Sequence, residues 1–279
     1  MISEGYIVSL VKLLDDEDAS VSKIAYEKLL NLGSNALPML LKIKDVASDK
    51  AKSLLLEIVD VIRYRKYVDD VISFFAAPEK DIEKGSFLVA KFAYSEVNFK
   101  HYSEILDLMA VELRKRIYTK ENFYDIVETV NKFFFVEQGF RGNMENYYDI
   151  DNALINRVID RRLGIPITLS LIYILVGKRV NLPVCGIAMP GHFIVRYESN
   201  GFEIYVDPFD SGRIMTRAEC EKFVSQIGYS EKDIYFKRAT PELFVKLMFE
   251  NLALAYKSNG YIANAQRLIE IIKLIENFR

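Results

Sequence analysis

Residues 184–207 read VCGIAMPGHFIVRYESNGFEIYVD, and this run decides the fold class. Three stretches, 184–189, 192–197 and 202–207, are rich in β-branched and aromatic residues. Pro190-Gly191 separates the first two, and a polar segment ending in Gly201 separates the last two, so the run predicts three antiparallel strands joined by hairpins. If Pro190-Gly191 is a two-residue turn, Met189 faces His192 and Cys185 faces Arg196. The second hairpin has two solutions. A Ser199-Asn200 turn puts His192 opposite Asp207 and Arg196 opposite Glu203. An Asn200-Gly201 turn leaves Asp207 one diagonal step from His192. Either way an imidazole and a carboxylate share one face.

Upstream, Asp151 is expected to cap a helix that carries Leu154, Ile155, Val158 and Ile159 on one face. Arg161 and Arg162 near its negative pole, and then Gly164, end it. Pro166 opens a second helix, where its missing N–H costs nothing, and that helix runs to Arg179 before Leu182-Pro183 leads into the strands. The uncharged apolar stretch 163–177 is shorter than the ~18–20 residues of a membrane span, so it reads as a buried helix. The expected fold class is α+β and predominantly helical, with helices packed on a small antiparallel sheet.

Further towards the N-terminus, residues 7–65 keep apolar residues at helical spacing, including Val21, Ile24, Ala25, Leu29, Leu37, Leu40 and Leu41, with Gly33 as a stop. Short helices in succession are expected there. Asp18, Val21, Ala25, Leu29, Gly33 and Leu37-Pro38 fit a HEAT-type repeat, and an ordinary helical hairpin accounts for so few units equally well. Helix continues over 67–135, with breaks near Ala77-Pro78 and between Asn98 and Ser103, and Phe133, Phe134 and Phe135 predict a buried helix end. His101, in the polar break, reads as a surface histidine. At the C-terminus Phe249, Leu252, Ala253 and Tyr256, followed by a Ser258-Asn259-Gly260 turn and Ala265, fit tetratricopeptide spacing or a hairpin that closes the core. The expected organisation is a HEAT-like segment over 1–66, the α+β region with its helical lead-in over 67–238, and a tetratricopeptide-like hairpin over 239–279.

A length of 279 residues suits one large domain or two modest ones. With 51% apolar and 27% charged residues, 13 Gly and 7 Pro, the chain is neither disordered nor collagen-like. Its 37 basic residues against 39 acids lack the excess that phosphate neutralisation needs, which excludes nucleic acid as an expected partner. Two cysteines, Cys185 and Cys220, are too few for a disulfide framework, and without a CxxC or a Cys/His cluster no structural zinc is expected. The N-terminus has Glu4 and an acidic run from Asp15 to Asp18 in place of a basic, apolar leader, so the expected location is cytoplasmic.

A carboxylate beside an imidazole fixes its tautomer and stabilises the protonated ring, which is the orienting half of a nucleophile, base and acid triad. The nucleophile is what this region lacks. Cys185 shares the face of His192 but lies four residues along the sheet, roughly 13 Å away at ~3.3 Å per residue. It reads as a small strand hydrophobe. Cys220, in a polar stretch that reads as a short helix, has no placed partner.

Gly164-Ile165-Pro166, a helix, Leu182-Pro183, a strand, Gly191-His192-Phe193 and Asp207-Pro208 resemble, in that order, the transglutaminase-like core. More narrowly, the chain resembles the bacterial SirB-type transglutaminase-like family. That resemblance rests on Gly139-Phe140-Arg141-Gly142-Asn143, Asn146-Tyr147-Tyr148-Asp149, Asn152-Ala153-Leu154, Arg161-Arg162-Leu163-Gly164-Ile165-Pro166, Pro190-Gly191-His192-Phe193 and Val206-Asp207-Pro208-Phe209. It runs from about residue 81 to the C-terminus, and the HEAT-like helices lie outside it.

The resemblance implies that His192 and Asp207 hold the family's His and Asp positions. It places the cysteine position at about Pro166, where neither Ile165, Ile167 nor Thr168 is a thiol, so the triad is degenerate and thiol acyl transfer has no nucleophile. Thr168 and Ser170, on the first turns of the same helix, are candidate hydroxyl substitutes or binding residues, or else they bond their own backbone. Arg141, Asn143, Tyr147, Tyr148 and Asn152 are candidate binding residues of a polar loop, or an ordered cap for the next helix. The expected function is a binding or scaffolding module for a protein or peptide, with no cofactor and no metal. The alternative is a hydrolase or acyl-transfer enzyme in which His192, oriented by Asp207, activates water or an amine. A metal held by His192 and Asp207 alone falls short of the three ligands a catalytic zinc takes.

Overall fold

The structure, a computed structural model, describes residues 3–44, 47–199, 201–230 and 233–278. It divides into two compact units, Met1–Ser73 and Phe74–Arg279. In the first, helices α1 (Glu4–Leu13), α2 (Ala19–Asn31), α3 (Leu37–Ile43) and most of α4 (Asp49–Ala76) follow one another, the last three residues of α4 belonging to the second. Ser3 and Asp18 accept from backbone N–H groups at the starts of α1 and α2. Ala25 and Leu29 are buried in one cluster with Leu10, Leu14, Leu40 and Ile58. Ile24, which also fits the helical spacing, is 53% exposed because it falls off the buried stripe of α2. The 28-residue α4 corrects the expectation of short helices only: residues 49–76 contain neither Gly nor Pro, so nothing stops it.

The second unit begins with α5 (Ile82–Ala93), α6 (Phe99–Ile117) and α7 (Phe123–Asn131), whose N-termini are capped by Asp81, Asn98 and Asn122. His101 is exposed as expected, but it sits in the first turn of α6 and not in a break. The break over residues 118–122 carries no Gly or Pro and was not foreseen. Phe133 and Phe134 are buried in a π-helical turn, Lys132–Glu137. After β1 (Arg141–Gly142), the cap falls on Asp149 and not Asp151. Asp149 accepts from the Asp151 N–H at 3.0 Å and starts a 3-10 turn, Ile150–Ala153, ahead of α8 (Ile155–Arg161). The Asp151 carboxylate instead takes Arg157 Nε at 3.0 Å and the Tyr94 hydroxyl at 2.9 Å. Arg162 closes α8 in the left-handed conformation.

Next come β2 (Leu163–Gly164), parallel to β1, and α9 (Pro166–Arg179), which matches the predicted bounds. Then β3 (Val184–Met189), β4 (His192–Ser199), β5 (Phe202–Asp207) and β6 (Arg213–Met215) form an antiparallel sheet in sequence order. Met189 pairs with His192 and Cys185 with Arg196, as expected. In the second hairpin Arg196 pairs with Tyr205 and Val195 with Val206, which is the Asn200-Gly201 solution. Asn200 itself lies outside the described residues, and Gly201 takes a φ of +82°. Arg196 still reaches Glu203 at 3.4 Å across the diagonal. Helix α10 (Arg217–Gln226) packs on the sheet, and α11 (Pro241–Ser258) and α12 (Ile262–Ile275) form the terminal hairpin. Phe249, Leu252, Ala253, Tyr256 and Ala265 are all buried there.

The described residues are thus predominantly helical with two small sheets, and no helix among them is long and apolar enough to cross a membrane. Residues 166–177 of α9 are buried without exception. At its centre Tyr197 donates to the Tyr173 hydroxyl at 2.9 Å, and Tyr173 donates to Asn131 Oδ1 at 2.8 Å. Asn131 Nδ2 in turn donates to the Gly212 carbonyl at 2.7 Å. Burial raises the pKa of both phenols, so they stay protonated and able to donate. Tyr173→Phe leaves a buried hydroxyl without its acceptor and a buried amide oxygen without its donor. We expect it to lower unfolding free energy by about 1–3 kcal/mol, read from denaturant midpoints at unchanged slope.

Candidate functional site

His192 opens β4 directly after Gly191, which turns the chain with a φ of +69°, and Asp207 closes β5. The diagonal register brings His192 Nε2 and Asp207 Oδ2 to 2.7 Å. The two side chains are 13% and 12% exposed, so the pair is sheltered from bulk water yet not sealed from it. Asp207 Oδ1 accepts from the N–H groups of Phe209 at 2.9 Å and Asp210 at 3.3 Å. The Asp207 carbonyl accepts from Gly212 N–H at 2.9 Å. A four-residue turn therefore aims the carboxylate, which in turn aims the ring. With Nε2 engaged, Nδ1 is the nitrogen left without a hydrogen-bond partner among the described residues. Such a pair can accept a proton at Nδ1 while Asp207 stabilises the resulting imidazolium.

Aromatic side chains enclose the imidazole. Phe223 of α10 lies 5.5 Å and Phe209 6.4 Å from it, centroid to centroid. Tyr147 stands edge-on to Phe209 at 5.9 Å and to Tyr148 at 5.2 Å. Phe209 is itself held in place: a Cβ at Gly142 of β1 would lie 2.6 Å from both its Cδ2 and its carbonyl oxygen. Sequence reasoning did not single out Phe209 and Phe223. Phe209 stood in a quoted motif, and Phe223 follows Cys220 at helical spacing, the only signals they offered.

The other candidates divide by what they touch. Pro166 is buried at the first position of α9. Thr168 is fully buried; its hydroxyl accepts from Ile165 N–H at 3.1 Å and donates to the Asn152 carbonyl at 2.7 Å. Ser170, equally buried, donates to the Phe193 carbonyl at 3.4 Å. Thr168 also reaches the Ile165 carbonyl at 3.1 Å in its own first turn, whereas Ser170 bonds β4 and not its own helix. Asn152 is buried too and shapes the loop: its Nδ2 donates to the carbonyls of Asn146 at 2.8 Å and Tyr147 at 3.2 Å, and its Oδ1 accepts from Asn143 at 3.2 Å. Arg141 is exposed, and Tyr148 is 46% exposed. Of the loop candidates, Tyr147 connects to the imidazole through Phe209, whereas Asn143 and Asn152 spend their polar atoms on the loop itself.

Neither thiol hydrogen-bonds to His192. Cys185 and Cys220 are buried in one apolar cluster between α10 and the sheet. Burial, followed by the charge of Glu219, pushes the Cys220 thiol up to about 12. Among the described residues no group of three His, Cys, Asp or Glu side chains could hold a metal ion.

A family model described as transglutaminase-like superfamily matches residues 100–250. A UPF0162 protein of Xylella fastidiosa strain 9a5c is 32% identical over 137 residues, 49% of each chain. The counterpart from strain Temecula1 is 33% identical over 132 residues, 47% of each chain. F-box only protein 21 of Mus musculus is 30% identical over 128 residues, which are 43% of this chain and 19% of that protein. The chain spans about half the length of the UPF0162 relatives and a fifth of the F-box protein. No solved structure matches it.

The thiolate is the reactive form of cysteine, and a thiol raised to about 12 stays neutral at pH 8. Native Cys220 should therefore alkylate with iodoacetamide about a thousandfold more slowly than in denaturant. Peptide mass spectrometry of partly labelled protein checks this.

Proposed function

The chain belongs to the transglutaminase-like superfamily, and on that footing we propose that it is a member without the nucleophilic cysteine, a module that binds a protein or peptide at the His192 face. The observation that carries this reading is Pro166, which heads α9 with no nucleophilic atom, while both thiols and the Thr168 and Ser170 hydroxyls are buried. The quoted motifs favour the SirB-type branch. The helices α1 to α4 suit a HEAT-like segment, and the buried Phe249, Leu252, Ala253 and Tyr256 suit a tetratricopeptide-like hairpin; such stacked helices offer broad surfaces to partners. The matched segment also recurs inside a much longer F-box protein, as a portable binding unit would. The loop that reaches this face through Tyr147 also carries Tyr148 and Met144, the last 68% exposed; aromatic and thioether side chains supply contact area that adapts to a peptide. Two thiols kept reduced and buried suit a cytoplasmic setting.

One observation favours a second reading. His192 is oriented by Asp207 with Nδ1 unpartnered, the geometry of a general base, which would make the chain a hydrolase or acyl-transfer enzyme working through water or a substrate amine. Purified full-length chain separates the two. In amine-incorporation and peptide-hydrolysis assays the binding module gives no turnover above buffer. Displayed peptides selected on it lose affinity about tenfold when Tyr148 is replaced by Ala. Turnover that disappears in His192→Ala overturns the binding module and establishes the enzyme.

A further inference from the structure

A cavity of 680 Å³ lies in the second unit with none of the His192-site residues in its wall. It is formed where the start of α5, the end of α9, the beginning of β3 and the segment leading into α11 meet. Its apolar side is built by Ile174, Leu175, Pro241 and Phe244. Its polar side carries four cations, and they are not alike.

Arg179 is matched. Its Nη2 lies 2.8 Å from both carboxylate oxygens of Glu83, and its Nε lies 2.6 Å from Asp107. Lys80 is matched as well, by Glu242 at 3.0 Å and the Ala77 carbonyl at 2.7 Å. Lys178 and Arg238 have neither an ion pair nor a side-chain hydrogen bond among the described residues, and they bear on each other as like charges. Asp81 is the acid that bears on Lys178, yet its carboxylate is turned to the N–H groups of Glu83 at 2.8 Å and Lys84 at 3.3 Å, where it caps α5. Burial, and after it the Arg238 charge, hold the Lys178 ammonium below the usual lysine range. An anion between the two would relieve that repulsion.

We propose that this cavity binds a carboxylate joined to an apolar body, with Arg238 and Lys178 on the carboxylate and Ile174, Leu175, Pro241 and Phe244 on the body. An arginine fork matches a carboxylate with two parallel bonds, and a lysine adds a point charge. With the acids Asp81, Glu83, Glu242 and Asp107 beside the four cations the neighbourhood carries no large positive excess, so the two unpaired cations fit a monoanion better than a polyphosphate. The cavity volume is that of a site for a short chain segment or small molecule. Two sources carry this chemistry: the carboxy-terminus of a peptide that ends in an apolar residue, and a free aliphatic acid. The inference stands apart from the role of His192.

Isothermal titration of the full-length chain tests it, with three probes: a hexapeptide ending in leucine with a free carboxy-terminus, the same peptide amidated, and octanoate. At least one free acid should bind, and amidation should weaken the peptide about tenfold or more. Lys178→Gln and Arg238→Gln should each weaken the bound acid about tenfold, with unchanged melting curves because neither side chain makes an ion pair or a side-chain hydrogen bond among the described residues. Both variants should still select peptides at the Tyr148 face. Binding of the free-acid peptide without octanoate supports the proposal with a peptide terminus as source, and octanoate alone supports it with a free acid. Equal binding of acid and amide, indifference to both substitutions, or no binding at millimolar concentration overturns it.

Discussion

Burial of residues 166–177 of α9 on every side is the constraint from which the arrangement of the second unit follows. A helix enclosed on every side can carry polar side chains only where partners reach them, because an unpaired buried polar group costs as much as several ordinary contacts contribute. Thr168, Ser170 and Tyr173 are the polar side chains of its first turns, and each is spoken for by an element the helix must hold: the loop before α8 through the Asn152 carbonyl, β4 through the Phe193 carbonyl, and α7 through Asn131. The same contacts that satisfy the helix therefore set the loop, the strand and the turn around His192. They also commit the Thr168 and Ser170 hydroxyls to backbone carbonyls.

The His192–Asp207 pair depends on that framework twice over. The diagonal register of β4 and β5 brings the two residues together, and the turn after Asp207 fixes which carboxylate oxygen is offered to the ring. That turn is held from outside by the bond from Asn131 to the Gly212 carbonyl, so the tyrosine relay through α9 and the orientation of the carboxylate are parts of one network. Aromatic rings from α10 and from the turn then wall the imidazole, which gives the site an apolar rim around one polar edge.

Much of this was legible in the order of residues, for identifiable reasons. The three strands and the first hairpin followed from period-two runs punctuated by Pro190-Gly191, and α9 followed from Pro166 at its head. The second hairpin stayed open because two adjacent turns satisfy the same chemistry, and only the packed sheet selects the one that pairs Arg196 with Tyr205. Strands β1 and β2, two residues each, are too short to show any period, and β6 is barely longer. The cap before α8 was misplaced by two residues because Asp149 and Asp151 are alike as caps, and what separates them is the demand of Arg157 and Tyr94 for a carboxylate. The rings about His192 come from elements distant in sequence, which no local pattern could join.

Gly142 shows how far such a framework reaches. It takes no part in any chemistry, and its strand is two residues long, yet its bare α-carbon is what lets the chain after Asp207 lie flush against β1. Even a methyl group there would wedge Phe209 outward and loosen the ring that borders the imidazole. The tolerance of this fold for variation is accordingly narrow at a position with no functional group at all, where a single hydrogen sets the clearance for this side of the rim.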